Sequence, residues 1–271
     1  CQGYSGPGAG SDLASLKTRA VREGDDYVIN GQKTWTTLGQ HANKIFCLVR
    51  TSNEGKPQEG ISFLLVDLDT PGIEMRPIRL IEGGHEVNEV FFTDVRVPAQ
   101  NLVGEENKGW TIAKYLLSHE RTGIAGVGFS MQALEEVKAI AATIKRGAKR
   151  LIDEPLFAAR LARVEIDLEA MKITNLRMLF RAQEQGAPGP ETSILKIKGS
   201  VINQELQDLA RRALGPLAAP FPGHVSEGNL LFGPPDTAFN AARYFNNRKT
   251  SIFGGSNEIQ RNILTKTMLE L

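Results

Sequence analysis

Several features that would quickly place this chain are scarce or missing. Its 271 residues hold two cysteines, Cys1 and Cys47. Two cannot build the multi-bridge framework of a small secreted domain, so a reducing compartment is the expectation. No apolar run approaches the roughly 18 residues that a membrane-spanning helix needs. A surplus of one charge is also missing: Lys plus Arg number 32 against 31 Asp plus Glu. That balance lacks the basic footprint of a nucleic-acid binder and offers no polybasic membrane anchor. There is no internal repeat, no Gly-x-Ser-x-Gly nucleophile elbow and no Walker phosphate loop. No targeting segment is visible. What is present is 41% hydrophobic residues. The length supports one large domain or two smaller ones, each with a packed core.

The two halves differ in period. Up to about residue 105 the pattern is of short strands and turns. Residues 26–30 and 32–37 read as the two strands of a hairpin, turned at Asn30-Gly31. The runs 45–49 and 61–66 are continuously apolar, as in strands covered on both faces. Thr70-Pro71-Gly72 is a turn, and residues 89–92 and 95–97 form a further strand region closed by Pro98. Turn signals at roughly 8–12-residue spacing predict a barrel or sandwich. No helical period intervenes, which argues against a βαβ sheet.

From Gly109 the period becomes helical. Trp110, Ala113, Leu116 and Leu117 are spaced for one helix face, and residues 133–144 continue helically. A long helix follows Pro155 and ends at Gly186-Ala187-Pro188-Gly189-Pro190. Another covers about 191–214, stopped by Gly215-Pro216. Residues 220–235 are a Gly/Pro-rich loop, and helical patterns resume near Ala238 and after Ser256. The second half therefore reads as an antiparallel helical bundle.

Few residues suggest chemistry on their own. Gly6-Pro7-Gly8-Ala9-Gly10-Ser11-Asp12 could aim consecutive amides at an anion or a carbonyl, or be a plain tight loop. Trp35-Thr36-Thr37 is either a core tryptophan or an aromatic wall with hydroxyls, suited to a planar heterocycle. His119-Glu120-Arg121 lacks the second histidine of a zinc helix, and the remaining histidines have no metal spacing. Gly123, Gly126 and Gly128 are costly within a helix, by roughly 1 kcal/mol each. They imply close approach of a backbone or ligand near Glu120. Cys47, inside an apolar strand, reads as packing. Lys145-Arg146 and Lys149-Arg150 read as a solvated helix end, with a phosphate partner as the minority reading. Ser256 or Asn257 can cap the last helix, whose free amides form another candidate anion or carbonyl site.

Taken together, these stretches resemble the acyl-CoA dehydrogenase family of flavoproteins. The resemblance is carried by Ser5-Gly6-Pro7-Gly8-Ala9-Gly10-Ser11-Asp12, Asn30-Gly31-Gln32-Lys33 with Trp35-Thr36-Thr37, and Gly254-Gly255-Ser256-Asn257-Glu258-Ile259-Gln260-Arg261. Pro71-Gly72, Asp94-Val95, Val97-Pro98 and Glu120-Arg121 fall between them in the family's order. It implies an α+β multidomain fold: a β-barrel or sandwich middle domain over residues 1–105, then an antiparallel four-helix bundle over 106–271. The family's N-terminal helical domain is expected to be missing.

The resemblance also implies FAD as cofactor and an acyl-CoA thioester as substrate. It places Gln2, Tyr4, Ser5, Gly10, Ser11, Trp35, Thr36, Thr37, Arg146, Gly215, Ser256 and Glu258 at the cofactor, and Ser11 and Arg121 at the substrate. The implied reaction is α,β-dehydrogenation, with electrons passed to an electron-transfer flavoprotein. Many members carry the catalytic glutamate where this chain has Gly254. A minority place it in a Glu-Arg pair on the helix carrying Arg121. The base is therefore expected at Glu120, with the Gly254 amide as donor to the thioester oxygen. Gly6 departs from the family's usual glutamate. Alternatives are a non-catalytic or half-site structural subunit of a heteromeric dehydrogenase, and an acyl-CoA oxidase. A homo- or hetero-oligomer, dimer or tetramer, is expected, in a bacterial cytoplasm or a mitochondrial matrix. No metal is implied.

Overall fold

A computed structural model describes residues 1–185, 189–219, 239–268 and 270. The chain forms two compact units, Cys1–Leu80 with Gly84–Leu116, and Ile81–Gly83 with Leu117–Leu271.

The first unit is built on one seven-stranded mixed sheet: β1 (Gln2–Gly3), β2 (Arg19–Glu23), β3 (Asp26–Thr37), β4 (Lys44–Arg50), β5 (Ile61–Asp67), β6 (Ile73–Ile78) and β7 (Val87–Pro98). Their order is β1-β4-β2-β3-β7-β6, with β5 pairing the other edge of β4. The continuous apolar runs form β4 and β5, which pair antiparallel along their whole length. Ile45, Cys47, Leu48, Val49, Ile61, Leu64 and Val66 are all buried, because the pair is covered on both faces. Burial pushes the Cys47 thiol up to about 11, so it is packing and not a nucleophile. No α-helix intervenes between these strands, only short 3-10 turns, as the turn spacing predicts.

The hairpin expected at Asn30-Gly31 is not formed. Gly24 and Asp25 make the turn between β2 and β3, with Glu23 opposite Asp26. β3 then runs unbroken through Asn30 and Gly31 against β7, with a bulge between Ile29 and Gly31. Gly31 is required there. Its φ is +138°, and an added Cβ would lie 2.7 Å from the Thr18 Cα. Nine residue pairs with β7 outweigh a two-residue turn preference.

The second unit is helical. It holds the end of α1 (Gly109–Ile124), then α2 (Val127–Thr143), α3 (Pro155–Gln185), α4 (Thr192–Leu214), α5 (Asn240–Asn246) and α6 (Asn257–Met268). Its core is shared by three helices: Leu134, Val137 and Ala141 of α2, Leu161, Val164 and Leu168 of α3, and Leu195, Ile202, Leu206 and Leu209 of α4. α3 and α4 run antiparallel, as the ion pairs show: Arg160 with Glu205, Lys198 with Asp167 at 3.2 Å, and Arg181 with Glu191 at 3.8 Å. Segments 186–188 and 220–235, read from the sequence as loops, lie outside the described residues. No described helix is long and apolar enough to cross a membrane.

Two sequence expectations about this unit are corrected. Lys145–Arg146 and Lys149–Arg150 are not a helix end but a small hairpin, β8 with β9, turned at Gly147 with φ +63°. No other part of the chain closely approaches Gly123 or Gly128, so a backbone contact does not account for them. Nothing lies within 4 Å of a Cβ added at Gly123 or Gly128. Gly126 sits at φ +59° where the chain breaks between α1 and α2. The close approach lies elsewhere, at Gly199 on α4, whose Cβ would come within 2.4 Å of the Ala125 carbonyl oxygen. Gly199→Ala is therefore expected to destabilise this unit by about 1–3 kcal/mol, the usual cost of overpacking. A urea-unfolding midpoint checks it, and an unchanged midpoint contradicts the contact.

Candidate active site

In the first unit the sheet brings two sequence-predicted stretches together. The Gly6-Pro7-Gly8-Ala9 stretch closes as a tight turn, with the Gly6 and Ala9 amides each donating to the other's carbonyl at 3.1 Å. Those two amides are spent on the turn, in keeping with the tight-loop reading of this stretch. The exposed Gly10 and Ser11 follow it. Just before the turn, the Ser5 carbonyl accepts the Thr34 amide at 3.0 Å. That bond sets Ser5 beside Trp35. Gln2 lies in β1, whose parallel pairing with Phe46 anchors this end of the stretch, and the Tyr4 ring packs edge-on against Phe46 at 5.1 Å.

Trp35 is not a core tryptophan. It is 59% exposed and sits at φ +62°, in a second bulge of β3 between Lys33 and Thr36. A left-handed backbone is costly for a residue with a side chain, roughly 1–2 kcal/mol, and such strain concentrates at functional positions. The neighbouring Thr36 is buried, and its hydroxyl has no hydrogen-bond partner among the described residues. Its carbonyl accepts from the Asn88 side chain at 3.1 Å, and Asn88 also bonds Gln40 at 2.8 Å and His85 at 2.7 Å. Thr37 is exposed. An exposed indole held in a strained bulge, with the exposed Thr37 hydroxyl two residues on, fits a flat heterocycle with hydrogen-bonding edges, as a flavin has.

The sequence reading missed Lys33. It is fully buried, and its Nζ donates to the Tyr4 carbonyl at 2.8 Å. Desolvation brings its ammonium down to about 8. Also missed is a cavity of about 380 Å³ lined by Lys17, Arg19, Arg50 and Lys56 with Asn53 and Pro57. Arg50 is structural there, donating to the Ala14 and Pro57 carbonyls. Lys17, Arg19 and Lys56 are exposed.

In the second unit the sequence-predicted residues fall in three places. Glu120 is half-buried in the last half of α1, followed by Arg121. Arg146, on β8, donates to the Arg212 carbonyl at the C-terminal end of α4 at 3.2 Å. A cation suits that negative helix end, and Gly215 caps the same end at φ +56°. Arg146 and Gly215 are thus neighbours through α4. Asp208 organises this end by pairing with Arg160, Arg211 and Arg212 at 2.7–2.8 Å. Burial acts to raise its carboxyl, and the arginine hydrogen bonds outweigh it, holding the group well below the usual carboxylate range.

The third place is the turn into α6. Gly254 and Gly255 take φ of +64° and +78°. Ser256 caps α6, its hydroxyl accepting the Ile259 amide at 3.3 Å. Glu258 turns back on its own backbone amide and the Ser256 hydroxyl, which lowers its carboxyl. Supports invisible as sequence signals hold this turn from below. The Gln260 amide donates to the Gly254 carbonyl at 3.2 Å, and the buried Lys196 donates to Asn257 at 3.0 Å.

These two units are also recognisable by comparison. Residues 1–95 match the family model for the acyl-CoA dehydrogenase middle domain, and residues 107–269 match that for the acyl-CoA dehydrogenase C-terminal domain. The chain belongs to the acyl-CoA dehydrogenase family. Acyl-CoA dehydrogenases are FAD-dependent oxidoreductases acting on CH–CH bonds, and the exposed Trp35 and Thr37 fit that cofactor. Among relatives, the chain is 39% identical over 273 residues to acyl-CoA dehydrogenase IpdE1 of Mycobacterium tuberculosis, covering 100% of this chain and 66% of that protein. It is 32% identical over 272 residues to cyclohexane-1-carbonyl-CoA dehydrogenase of Geobacter metallireducens, covering 98% and 67%. The solved ChsE4-ChsE5 complex of Mycobacterium tuberculosis superposes with a TM-score of 0.82 at 36% identity, over 100% of this chain and 68% of that one. The Tcur3481-Tcur3483 steroid acyl-CoA dehydrogenase gives 0.83 at 32% identity, over 100% and 67%. The chain spans about two thirds of the length of these proteins.

Proposed function

We propose that this acyl-CoA dehydrogenase chain binds FAD and takes part in α,β-dehydrogenation of an acyl-CoA thioester. The observation that carries the reading is the strained, exposed Trp35 beside Ser5 and the exposed Thr37. Bound FAD supplies a hydride acceptor for the hydrogen leaving the β-carbon. The remaining work falls to the chain. Ser5, Trp35, Thr36 and Thr37, with Gln2, Tyr4 and Gly10, hold the flavin. Arg146 and Gly215 reach the FAD of a neighbouring subunit, and Ser256 and Glu258 lie near the cofactor.

Glu120 removes the α-proton, which is only weakly acidic in water. The Gly254 amide donates to the thioester oxygen, where negative charge develops as that proton leaves. Ser11 and Arg121 contact the substrate. The cavity lined by Lys17, Arg19 and Lys56 suits the phosphates of a coenzyme A thioester. In this reading residues 1–105 serve as the flavin-contacting domain and 106–271 as the helical one.

Two relatives carry names that point to ring-bearing acyl groups, a steroid and a cyclohexane carboxylate, and we assign this chain that substrate class. Assembly into a homo- or hetero-oligomer is supported by α3, which leaves Ile166, Ile173, Leu176 and Phe180 exposed. The ChsE4-ChsE5 and Tcur3481-Tcur3483 relatives are two-component proteins by name. The electrons pass to an electron-transfer flavoprotein in the cytoplasm. Steady-state turnover with that acceptor, set against turnover in air alone, tests this. Turnover sustained by oxygen alone would make the enzyme an oxidase.

Trp35→Gly isolates the cofactor role. Glycine relieves the positive φ, so folding stability is expected to hold or rise. Loss of the stacking surface, worth about 1–3 kcal/mol in comparable ring contacts, should weaken FAD retention by about 10–100-fold. FAD content after dialysis reads it. Full retention contradicts the placement of Trp35 at the flavin.

A further inference from the structure

The turn that carries Gly254 has no side chains of its own to hold it. Two consecutive glycines at φ +64° and +78° would wander among several backbone basins unless tied from outside. The ties come from two buried side chains on α6 and two on α4. Gln260 of α6, 1% exposed, donates to the Gly254 carbonyl at 3.2 Å and reaches the Gly255 carbonyl at 3.5 Å. Asn257, the first residue of α6, is gripped through its amide. Its oxygen accepts from Lys196 at 3.0 Å and from Ser200 at 3.2 Å, and its nitrogen donates to the Ser200 hydroxyl at 3.0 Å.

Lys196 is the telling member. It is fully buried on α4. Among the described residues the charged group acting on it is Glu258, in the first turn of α6. Burying an ammonium costs several kcal/mol, and the start of a helix is the wrong end for a cation. An apolar residue would fill a bundle position at lower cost. Helix stability alone therefore does not account for a lysine here.

We propose that Lys196, Ser200, Asn257 and Gln260 form a buried clamp whose task is to aim the Gly254 amide. They are positioning residues, acting through the turn. Gln260 fixes the plane of the 254–255 peptide, and Asn257 fixes the start of α6. With both ends held, the left-handed φ of Gly254 sets the direction of the amide that precedes it. The inference rests on the reading of that amide as the donor to the thioester oxygen. The displacement that matters is small, because oxyanion stabilisation depends on donors placed within a few tenths of an ångström.

The test uses the FAD-loaded protein and an enolisable 3-oxoacyl-CoA, whose bound enolate is read by absorbance. A well-aimed amide stabilises the enolate, so wild-type protein should bind this ligand with its pKa well below that of the free thioester. Lys196→Met is expected to raise that bound pKa by about one unit, a tenfold loss of enolate stabilisation. FAD content and affinity for a saturated acyl-CoA should stay unchanged, and kcat should fall by a similar factor with KM preserved. Gln260→Met cuts the other arm and must give the same rise, and it decides the matter if Lys196→Met does not fold. Bound pKa values that stay at the wild-type level overturn the clamp. A wild-type protein that does not lower the ligand's pKa overturns the donor reading of Gly254 itself.

Discussion

Replacing Glu120 by Gln is expected to lower turnover by about two to four orders of magnitude, the usual range for a general base. FAD content and acyl-CoA affinity should be retained. Glutamine keeps the size and most of the hydrogen bonding of the side chain but cannot accept the α-proton. No nearby acid of the last motif stands ready to replace it. The position where many family members carry their glutamate is Gly254, and Glu258 is exposed and committed to its own backbone amide and Ser256. Glu120 itself is half-buried on α1. A rapid-mixing measurement of flavin reduction separates the chemical step from substrate binding. Reduction at the wild-type rate in the Gln variant would remove Glu120 from the mechanism.

Stability should rise as pH increases from about 8 to 9, and Lys33→Met should remove about half of that rise. The sign follows from two buried lysines. Desolvation lowers both Lys33 and Lys196 from 10.5 to about 8. Between those values the unfolded chain holds protons that the folded one has released. Stability therefore rises with pH, by up to about 1.4 kcal/mol per pH unit for each group. The cost is greatest at neutral pH and disappears once the unfolded chain also loses its protons. Above pH 9 Cys47 works the other way, because its folded thiol is held at about 11 against the ordinary 9.0. The useful window is therefore 8 to 9. The methionine variant also leaves the Tyr4 carbonyl without its donor, a loss of about 1–3 kcal/mol that does not vary with pH. The slope of the urea-unfolding free energy against pH, not its absolute value, is the readout. An unchanged slope in Lys33→Met would mean that this lysine is not a buried cation.

Much of the architecture was legible because it is written in periodicity. The apolar runs of β4 and β5 and the helical spacing from Trp110 onward each state their own element. The long helix after Pro155 and the capped start of α6 do the same. Local chemistry misled where distant pairing prevailed. Asn30-Gly31 reads as a hairpin by itself, yet β7 holds β3 straight through it. Lys145-Arg146 reads as a helix end, yet Gly147 turns it into a hairpin. The candidate site was legible only in its motifs, and its supports were not. Lys33 and Lys196 look like any surface lysine in a sequence, and nothing local says that one lies under Tyr4 and the other under Asn257. Trp35 is the reverse case. Its hydrophobicity suggests the core, and only the bulge shows that the backbone pays strain to keep it outside.

The most direct test of the account is an anaerobic mixing of the yellow, FAD-loaded protein with a ring-bearing acyl-CoA. Wild-type protein is expected to lose its flavin colour while forming one equivalent of the α,β-unsaturated thioester, and Glu120→Gln should keep its colour on the same timescale. A protein that binds FAD and the thioester yet leaves both unchanged would contradict it.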